Sequence, residues 1–576
     1  MKFRPKCRTK FSYYVGKLCN TEGRVLSKRA WGKTLYENHY DACGRLRELI
    51  TGEQKTSYGY DKAGRLAEVC ASNGIRAQYR YDRNDMQTEV LYGNGLRTSY
   101  TYDERSQLTG MESVLKDGRI LHKASYSYDN AGNRITRDEQ YTSLQMRHDT
   151  TCYTYDSMDR LTKESLNGAV TSYGYDLAGN RIVKSTDGRT ERYLYNNRNQ
   201  LTELHREKDV VRYSYDPAGN LTEENYLTAD GTSTKRLHYA YDVYNRNVSV
   251  TGDDFTQKNH YDAEGYRDSI TEKDKVTNFV YQGGMLLHEL DEDKNPARHY
   301  VLGNEYIGLD HNYYLTDEQG SVRYVLDADG NVQNDYRYDA FGQCIAGQEN
   351  IPNRLRYNAQ IEDDLTGLYY LRARYYNTGI GRFTQEDVIY NDGLNLYAYC
   401  NNNPVMYSDP SGFEATPTQQ SMCKRKNGGE KDSKSGRVSI NPRYERGTVT
   451  GSEGLYDVDK MMRGSQGNIG IIPKEIGEKL QGRTINNFDD FREALWYEIG
   501  HSKYADEFSL GNRTLMKRGK APFAVPEQWN GKNGKYVIHH RKPIHDGGGV
   551  YDLGNIVIST PRFHLDILDR NYHFNK

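Results

Sequence analysis

The sequence predicts a mainly β chain of repeated hairpins, followed by a short α+β domain at its C-terminal end. Three observations predict this. Tyrosine makes up 52 of the 576 residues, and many tyrosines stand in Tyr-Asp pairs: Tyr40-Asp41, Tyr60-Asp61, Tyr81-Asp82, Tyr102-Asp103, Tyr128-Asp129, Tyr155-Asp156, Tyr175-Asp176, Tyr215-Asp216, Tyr241-Asp242 and Tyr261-Asp262. Their steps are mostly 20 or 21 residues, with Tyr195-Asn196 filling a gap, and a fixed period in this range marks a repeat architecture. Near the C-terminus the pattern changes to a histidine pair, a glycine turn, an apolar β-branched run and a helix-start signal. Charge divides at the same place. From Glu414 onward there are 26 Lys and Arg against 20 Asp and Glu, and the preceding residues hold 52 against 59, so the net charge of −1 conceals two opposite halves.

Within one unit, Thr56–Tyr60 alternates, Asp61-Lys62-Ala63-Gly64 carries turn chemistry, and Arg65–Val69 alternates again. Each unit is therefore expected to be a β-hairpin. Tyr58 and Tyr60 would share a face, rings packed along the sheet and hydroxyls in water. Mean hydropathy of −0.93 with 36% hydrophobic residues is too polar for an ordinary packed core of this size. A sheet wet on both faces, needing little aliphatic filling, is the expectation.

These units resemble the YD repeats of Rhs and TcC-type proteins, from about residue 30 to residue 413. The resemblance implies one long sheet, with hairpins over 1–300, coiled into a hollow shell around the chain's own C-terminal toxin. A secreted adhesive solenoid without cargo is the alternative.

The stretch 301–413 has its own motifs: Gly367–Tyr376, Gly381-Arg382-Phe383, Asn395–Tyr399, Asn402-Asn403-Pro404 and Asp409-Pro410-Ser411-Gly412-Phe413. Together they resemble the Rhs-associated core domain. That resemblance implies self-cleavage between Phe413 and Glu414, with Asp387 and Asp409 as an acid pair and Arg374 orienting it. Two carboxylates held close share a proton, so one can act as acid while the other acts as base. Val388 follows Asp387 where the family has proline. The bland reading makes both aspartates turn residues.

Residues 414–454 are polar and rich in Lys, Ser and Gly, which reads as linker. The basic segment beyond suits a polyanionic substrate, because phosphate neutralisation supplies most non-specific DNA affinity. Chance surface charge is the competing explanation.

The final segment, 455–576, carries the sharpest chemistry. His539 and His540 precede Gly547-Gly548-Gly549, then Asn555 and Ile556-Val557-Ile558, with His564 shortly after Thr560-Pro561. Adjacent strand residues point to opposite sides, so a histidine pair can serve one site only where a strand ends and bends. Thr560-Pro561 reads as an N-cap and first helical residue. Strand, loop, strand and helix in this order are the layout of a one-metal nuclease site. Phe488, Phe491, Leu495, Trp496 and Ile499 recur at helical spacing as a core stripe, with Asn487 as N-cap and Asp490 complementing it.

From Ile472 to Asp569 the chain resembles the DNase domain of colicin and S-type pyocin bacteriocins, members of the HNH (ββα-metal) superfamily. It shares Ile472-Pro473, Asn487–Arg492, Lys517–Ala524 and the 24 positions between His540 and His564. The resemblance implies a metal-dependent, sequence-nonspecific DNase. His539 would be a metal ligand, His540 the general base, Asn555 the pin of the loop and His564 a second ligand. The metal would be a divalent ion such as Zn, Mg, Mn or Ni. One family ligand position is Leu568 here, an acidic position is Val537, and an arginine position is Asn533, flanked by Lys532 and Lys535. His573 can replace the lost ligand if the chain reverses near Asn571. Asp569 lies off the helical face, and two histidines completed by water are the remaining option.

The 8 cysteines include no Cys-x-x-Cys, so neither a zinc ribbon nor a disulfide scaffold is indicated. No apolar run approaches a membrane span, and no signal peptide begins at Met1. Free thiols fit synthesis in a bacterial cytoplasm, and a toxin would then be exported to act in a target cell. Repeats begin almost at once, so the chain is a fragment or its delivery depends on another polypeptide. A producer would need a cognate immunity protein. The other functional readings are a binding shell with a decayed nuclease, and an RNase of the same fold.

Overall fold

The computed structural model describes residues 16–21, 24–142, 146–387, 395–413, 415–418, 446–452, 455–463, 469–485, 488–529, 534–540 and 549–561. Among these, 32 strands from Gly16–Cys19 to Cys344–Glu349 form one antiparallel sheet. Each strand pairs with its neighbours in sequence, as hairpins joined end to end. The expected boundary at residue 300 falls inside this meander, which runs on to Glu349.

The Tyr-Asp pair builds the hairpin turn. Asp61 Oδ1 accepts the N–H groups of Ala63 and Arg65 at 2.9 Å, and Asp61 Oδ2 accepts Arg65 Nε at 2.7 Å. Gly64 closes the turn at φ +83°, where a side chain is disfavoured. Asp85, Asn199 and Asn245 take the same role at φ 64°, 60° and 60°, as residues that tolerate the left-handed region.

The same groups join one hairpin to the next. Hydroxyls of Tyr60, Tyr81, Tyr102 and Tyr175 donate to the carbonyls of Leu46, Leu66, Gln87 and Leu161 at 2.7–2.8 Å. Arg65 lies 4.7 Å from the centre of the Tyr81 ring and donates to the Asp82 carbonyl at 2.9 Å. Arg160 repeats this with Tyr175 and Asp176 at 4.9 and 3.0 Å. The expectation of wet hydroxyls is therefore corrected: these hydroxyls satisfy carbonyls of the preceding hairpin.

The expectation of a sheet wet on both faces fails as well. The first tyrosine of Tyr-x-Tyr-Asp is buried in unit after unit, with Tyr79, Tyr173 and Tyr213 only 4%, 5% and 6% exposed. One cluster joins residues of the Val69–Tyr126 hairpins to Val301, Ile307, Tyr313 and Leu326, so late strands pack on early ones. Val322–Leu326 is buried at all five positions. Tyrosine fills this core while scoring as polar, which is why composition concealed it.

Cross-strand partners His288 and His299 stack with ring centres 4.7 Å apart. The Asp310 carboxylate accepts the His299 backbone N–H at 2.8 Å. Burial, and for His288 also the neighbouring His299, pushes the two imidazoles down from 6.5 to about 3 and about 4. The unfolded chain therefore binds protons that the folded sheet refuses, and stability present above pH ~6.5 is lost as pH falls towards 4. Melting temperature should drop between pH 7 and 5, and His288→Phe should flatten the profile in thermal melts. An unchanged profile would remove this pair from the acid response.

After the meander, Ile361–Glu362, Tyr369–Tyr370, Tyr375–Asn377 and Arg382–Phe383 form a small four-stranded sheet. It is tied to the hairpins by the buried pair Arg267–Asp363 at 2.6 Å. Asn403 and Asn395 donate to Asn133 and Asn180 at 3.0 and 2.7 Å, in repeats where asparagine replaces the arginine after the turn.

The C-terminal domain is a separate compact unit. Its strands Met462–Arg463, Ile469–Gly470, Ile556–Ser559 and Val537–His540 form one sheet in that order. Helices Lys474–Leu480, Phe488–Gly500 and Leu510–Met516 complete the domain. The predicted stripe is its core, with Phe491, Leu495 and Ile499 each 0% exposed. Asn487 lies outside the described residues. The polar stretch expected as linker to residue 454 ends earlier. Gly447–Thr448 already pairs with Thr484–Ile485, and Val449 is 0% exposed. At Gly447 a Cβ would meet the Tyr551 ring at 2.5 Å, so the strand fits there only as glycine.

Candidate functional site

The Asp409–Phe413 motif is assembled by one tight turn and one side chain. Tyr369–Tyr370 and Tyr375–Asn377 pair antiparallel, and the Leu371 N–H donates to the Arg374 carbonyl at 3.0 Å to close the turn. Asp409, 1% exposed, accepts the N–H groups of Ser411, Gly412 and Phe413 on Oδ1 at 3.1, 2.8 and 3.2 Å. Its Oδ2 faces Arg374 Nη2 at 3.5 Å. Arg374, 4% exposed, donates from Nε to the Gly412 carbonyl and from Nη1 to Leu396 at 3.1 Å, with its guanidinium 3.5 Å from the Phe383 ring centre. Gly412 sits at φ +73°, and a Cβ there would lie 2.6 Å from the Leu371 carbonyl oxygen.

Arg374 and Asp409 are thus brought together around the peptide preceding Phe413. Asp387 is buried, 5% exposed. Phe413 is half-buried, and Glu414 lies outside the described residues.

In the C-terminal domain, His539 and His540 lie on the strand Val537–His540, and residues 541–548, where a bend is expected, lie outside the described residues. His539 and His540 pair with Val557 and Ile556 and are 5% and 2% exposed. His540 Nε2 lies 2.9 Å from the Val550 carbonyl oxygen. A carbonyl only accepts, so Nε2 carries a proton and donates it there. The Phe488 ring, 5.0 Å from the imidazole centre, packs against it. Asn555 Nδ2 donates to the Gly549 carbonyl at 3.2 Å and so ties the loop entering the second strand. Asp552 caps the intervening turn by accepting the Gly554 N–H at 3.0 Å. Pro561 is the first helical residue. His564, His573, Leu568 and Asp569 lie outside the described residues. Among the described residues no three His, Cys, Asp or Glu side chains gather into a metal-binding group. Neither the Val550 carbonyl nor the Phe488 contact was legible as part of the site in the sequence.

The family model for the teneurin YD-shell matches residues 17–112 and 96–405. The chain belongs to the teneurin YD-shell family. This YD-shell chain also carries a colicin/pyocin-type DNase domain, since the model for the Colicin/Pyocin-S2 DNase domain matches residues 447–570. It is 36% identical to colicin-E7 of Escherichia coli over 146 residues, 25% of either chain. It is also 36% identical to the tRNA nuclease WapA of Bacillus subtilis over 200 residues, 31% of this chain and 9% of WapA. The YD-shell chain thus spans a quarter or less of the length of these relatives. The crystal structure of TcdB2-TccC3 without its hypervariable C-terminal region aligns over 69% of this chain and 23% of that one, at 19% identity and TM-score 0.49. No helix among the described residues is long and apolar enough to cross a membrane.

Proposed function

We propose that this YD-shell chain is an antibacterial toxin that encloses a C-terminal metal-dependent, sequence-nonspecific DNase and frees it by cutting itself at Phe413–Glu414. The observation that carries the nuclease reading is the His540 imidazole. It is held at a strand end with Nε2 on the Val550 carbonyl at 2.9 Å, inside a domain of colicin/pyocin DNase type.

In the proposed reaction His540 Nδ1 takes a proton from a water molecule, whose oxygen attacks the phosphodiester phosphorus while the 3′-oxygen leaves. Asn555 keeps the Gly549 loop in place beside the histidine strand. His539, one residue before His540 on the same strand, His564 and His573 are the proposed ligands of a divalent ion. Such an ion, when bound, supplies Lewis-acid stabilisation of the phosphate charge and of the leaving oxygen. DNA is the proposed substrate, and supercoiled plasmid offered with a divalent metal, with EDTA, and beside an RNA competitor tests it. Cleavage of RNA alone would make the domain an RNase. Inertness of both wild-type substrates would leave a binding shell with a decayed nuclease.

For self-cleavage, water adds to the Phe413 carbonyl carbon, the bond to the Glu414 nitrogen breaks, and that nitrogen takes the proton. Asp387 and Asp409 act as the acid pair, and Arg374 orients Asp409. The shell would be made in a bacterial cytoplasm, exported through a delivery partner, and would act inside a target cell. A cognate immunity protein would protect the producer, because a nuclease of this kind threatens the chromosome of the cell that makes it.

Enclosure has its own test. Limited proteolysis of the native particle should spare residues 414–576 until the shell is denatured. Rapid digestion of that fragment would mean an exposed, tethered domain.

A further inference from the structure

Three consecutive residues hold three consecutive carbonyls just upstream of the proposed cut. Arg372 Nη1 donates to the Pro410 carbonyl at 2.7 Å, the Ala373 N–H donates to Ser411 at 3.1 Å, and Arg374 Nε donates to Gly412. Asp409 Oδ1 takes the N–H groups of Ser411, Gly412 and Phe413 in the same segment. Arg372 is the unusual member. It is the first central residue of a two-residue hairpin turn and sits at φ +65°, where glycine is the favoured residue. Its side chain is anchored by the Gly284 carbonyl, which accepts Nε at 2.8 Å and Nη2 at 2.5 Å, and by Gln360 Oε1. A strained backbone persists where its surroundings over-determine it, and such residues cluster at functional sites.

Resting on the self-cleavage reading above, we infer that Arg372 is a positioning residue for the cut at Phe413–Glu414. Its guanidinium fixes the Pro410 carbonyl to the Gly284 loop. Its left-handed turn aims the Ala373 N–H and Arg374 at the next two carbonyls. The bent segment is then held through its carbonyls and its N–H groups up to Phe413, and the carbonyl carbon that water must attack is presented in one place. A shift of about 1 Å at a reacting centre can cost on the order of a hundredfold in rate.

Arg372→Gly isolates the guanidinium, because glycine keeps the left-handed turn without strain and removes the side chain. Cleavage of the full chain is followed as conversion to two fragments after cell-free synthesis. The glycine variant should fold, with a wild-type circular dichroism spectrum, and cut about ten- to a hundredfold more slowly. Purified, uncut Arg372→Gly protein should start to cut when low-millimolar guanidinium is added, a response that a folding role would not give. Wild-type speed in Arg372→Gly overturns the inference, and so does a folded, slow variant that guanidinium leaves slow. If the glycine chain does not fold, Arg372→Lys decides, and a wild-type rate there overturns the inference. A wild-type chain that never divides overturns this inference and the cleavage reading together, whereas wild-type cutting beside a fast Arg372→Gly removes only the role of Arg372.

Discussion

His540→Ala should lower plasmid nicking by the isolated C-terminal fragment by about 10²–10⁴-fold, the contribution expected of a positioned general base. The ring is fixed twice, by the Val550 carbonyl on Nε2 and by the Phe488 ring packed against it, so its orientation is set by the fold. His540 is 2% exposed, and alanine also leaves a hole, so His540→Gln serves as the control that keeps volume. Both variants should lose nicking, and both should keep the metal affinity of wild type. Alanine at His564 or His573 should lower metal affinity and nicking together, with Asp569→Ala mild. Nicking by His540→Gln at the wild-type rate would remove the imidazole from the chemistry. Full activity in His573→Ala would remove that residue from the ligand set.

Asp409→Asn should leave the chain in one piece, where wild type yields fragments of about residues 1–413 and 414–576 that co-elute under native conditions. Asparagine keeps an oxygen for the N–H groups of Ser411, Gly412 and Phe413, so the turn should survive. What it loses is the carboxylate facing Arg374 at 3.5 Å and with it the capacity to exchange a proton. A denaturing gel reads the result directly. Two bands from Asp409→Asn would exclude this aspartate from the mechanism, and two bands from Asp387→Asn would exclude its proposed partner.

Much of the fold is legible where the chemistry is local. Asp61 and Gly64 announce their turn because a carboxylate three bonds from the backbone and a residue free at positive φ are what that turn needs. Past residue 300 two turns keep their aspartate and glycine without the tyrosine: Asp317 with Gly320 and Asp327 with Gly330 close loops after Thr316 and Leu326, before Tyr338-Asp339 restores the pair. A search for the pair therefore passes over hairpins that a search for the aspartate and glycine alone would reach. The packed face was hidden for a different reason. Its partner strands are about 200 residues away, as with Tyr92 against Tyr313 at 6.1 Å, and periodicity reports only which side chains share a face. The histidine strand was legible through its β-branched partner strand, Ile556–Ser559. The Arg372 clamp was not, because its contacts are to backbone carbonyls, which any sequence supplies.

The joining of hairpins through Tyr81, Arg65 and the carbonyls of Leu66 and Asp82 bears on how such a chain can change length. Each unit lends an acceptor to the hydroxyl of the next and a guanidinium to its ring, so this ladder is a chain of nearest-neighbour contacts laid over the packing of late strands on early ones. Inserting or removing a whole hairpin leaves the Tyr hydroxyls and turn arginines of the ladder with neighbouring acceptors. Inserting a single residue in a strand turns the buried tyrosine outward and breaks the contact on both sides. Duplication and loss of complete units is therefore the mutational step that this ladder tolerates best, and the sheet can change length in increments of one hairpin.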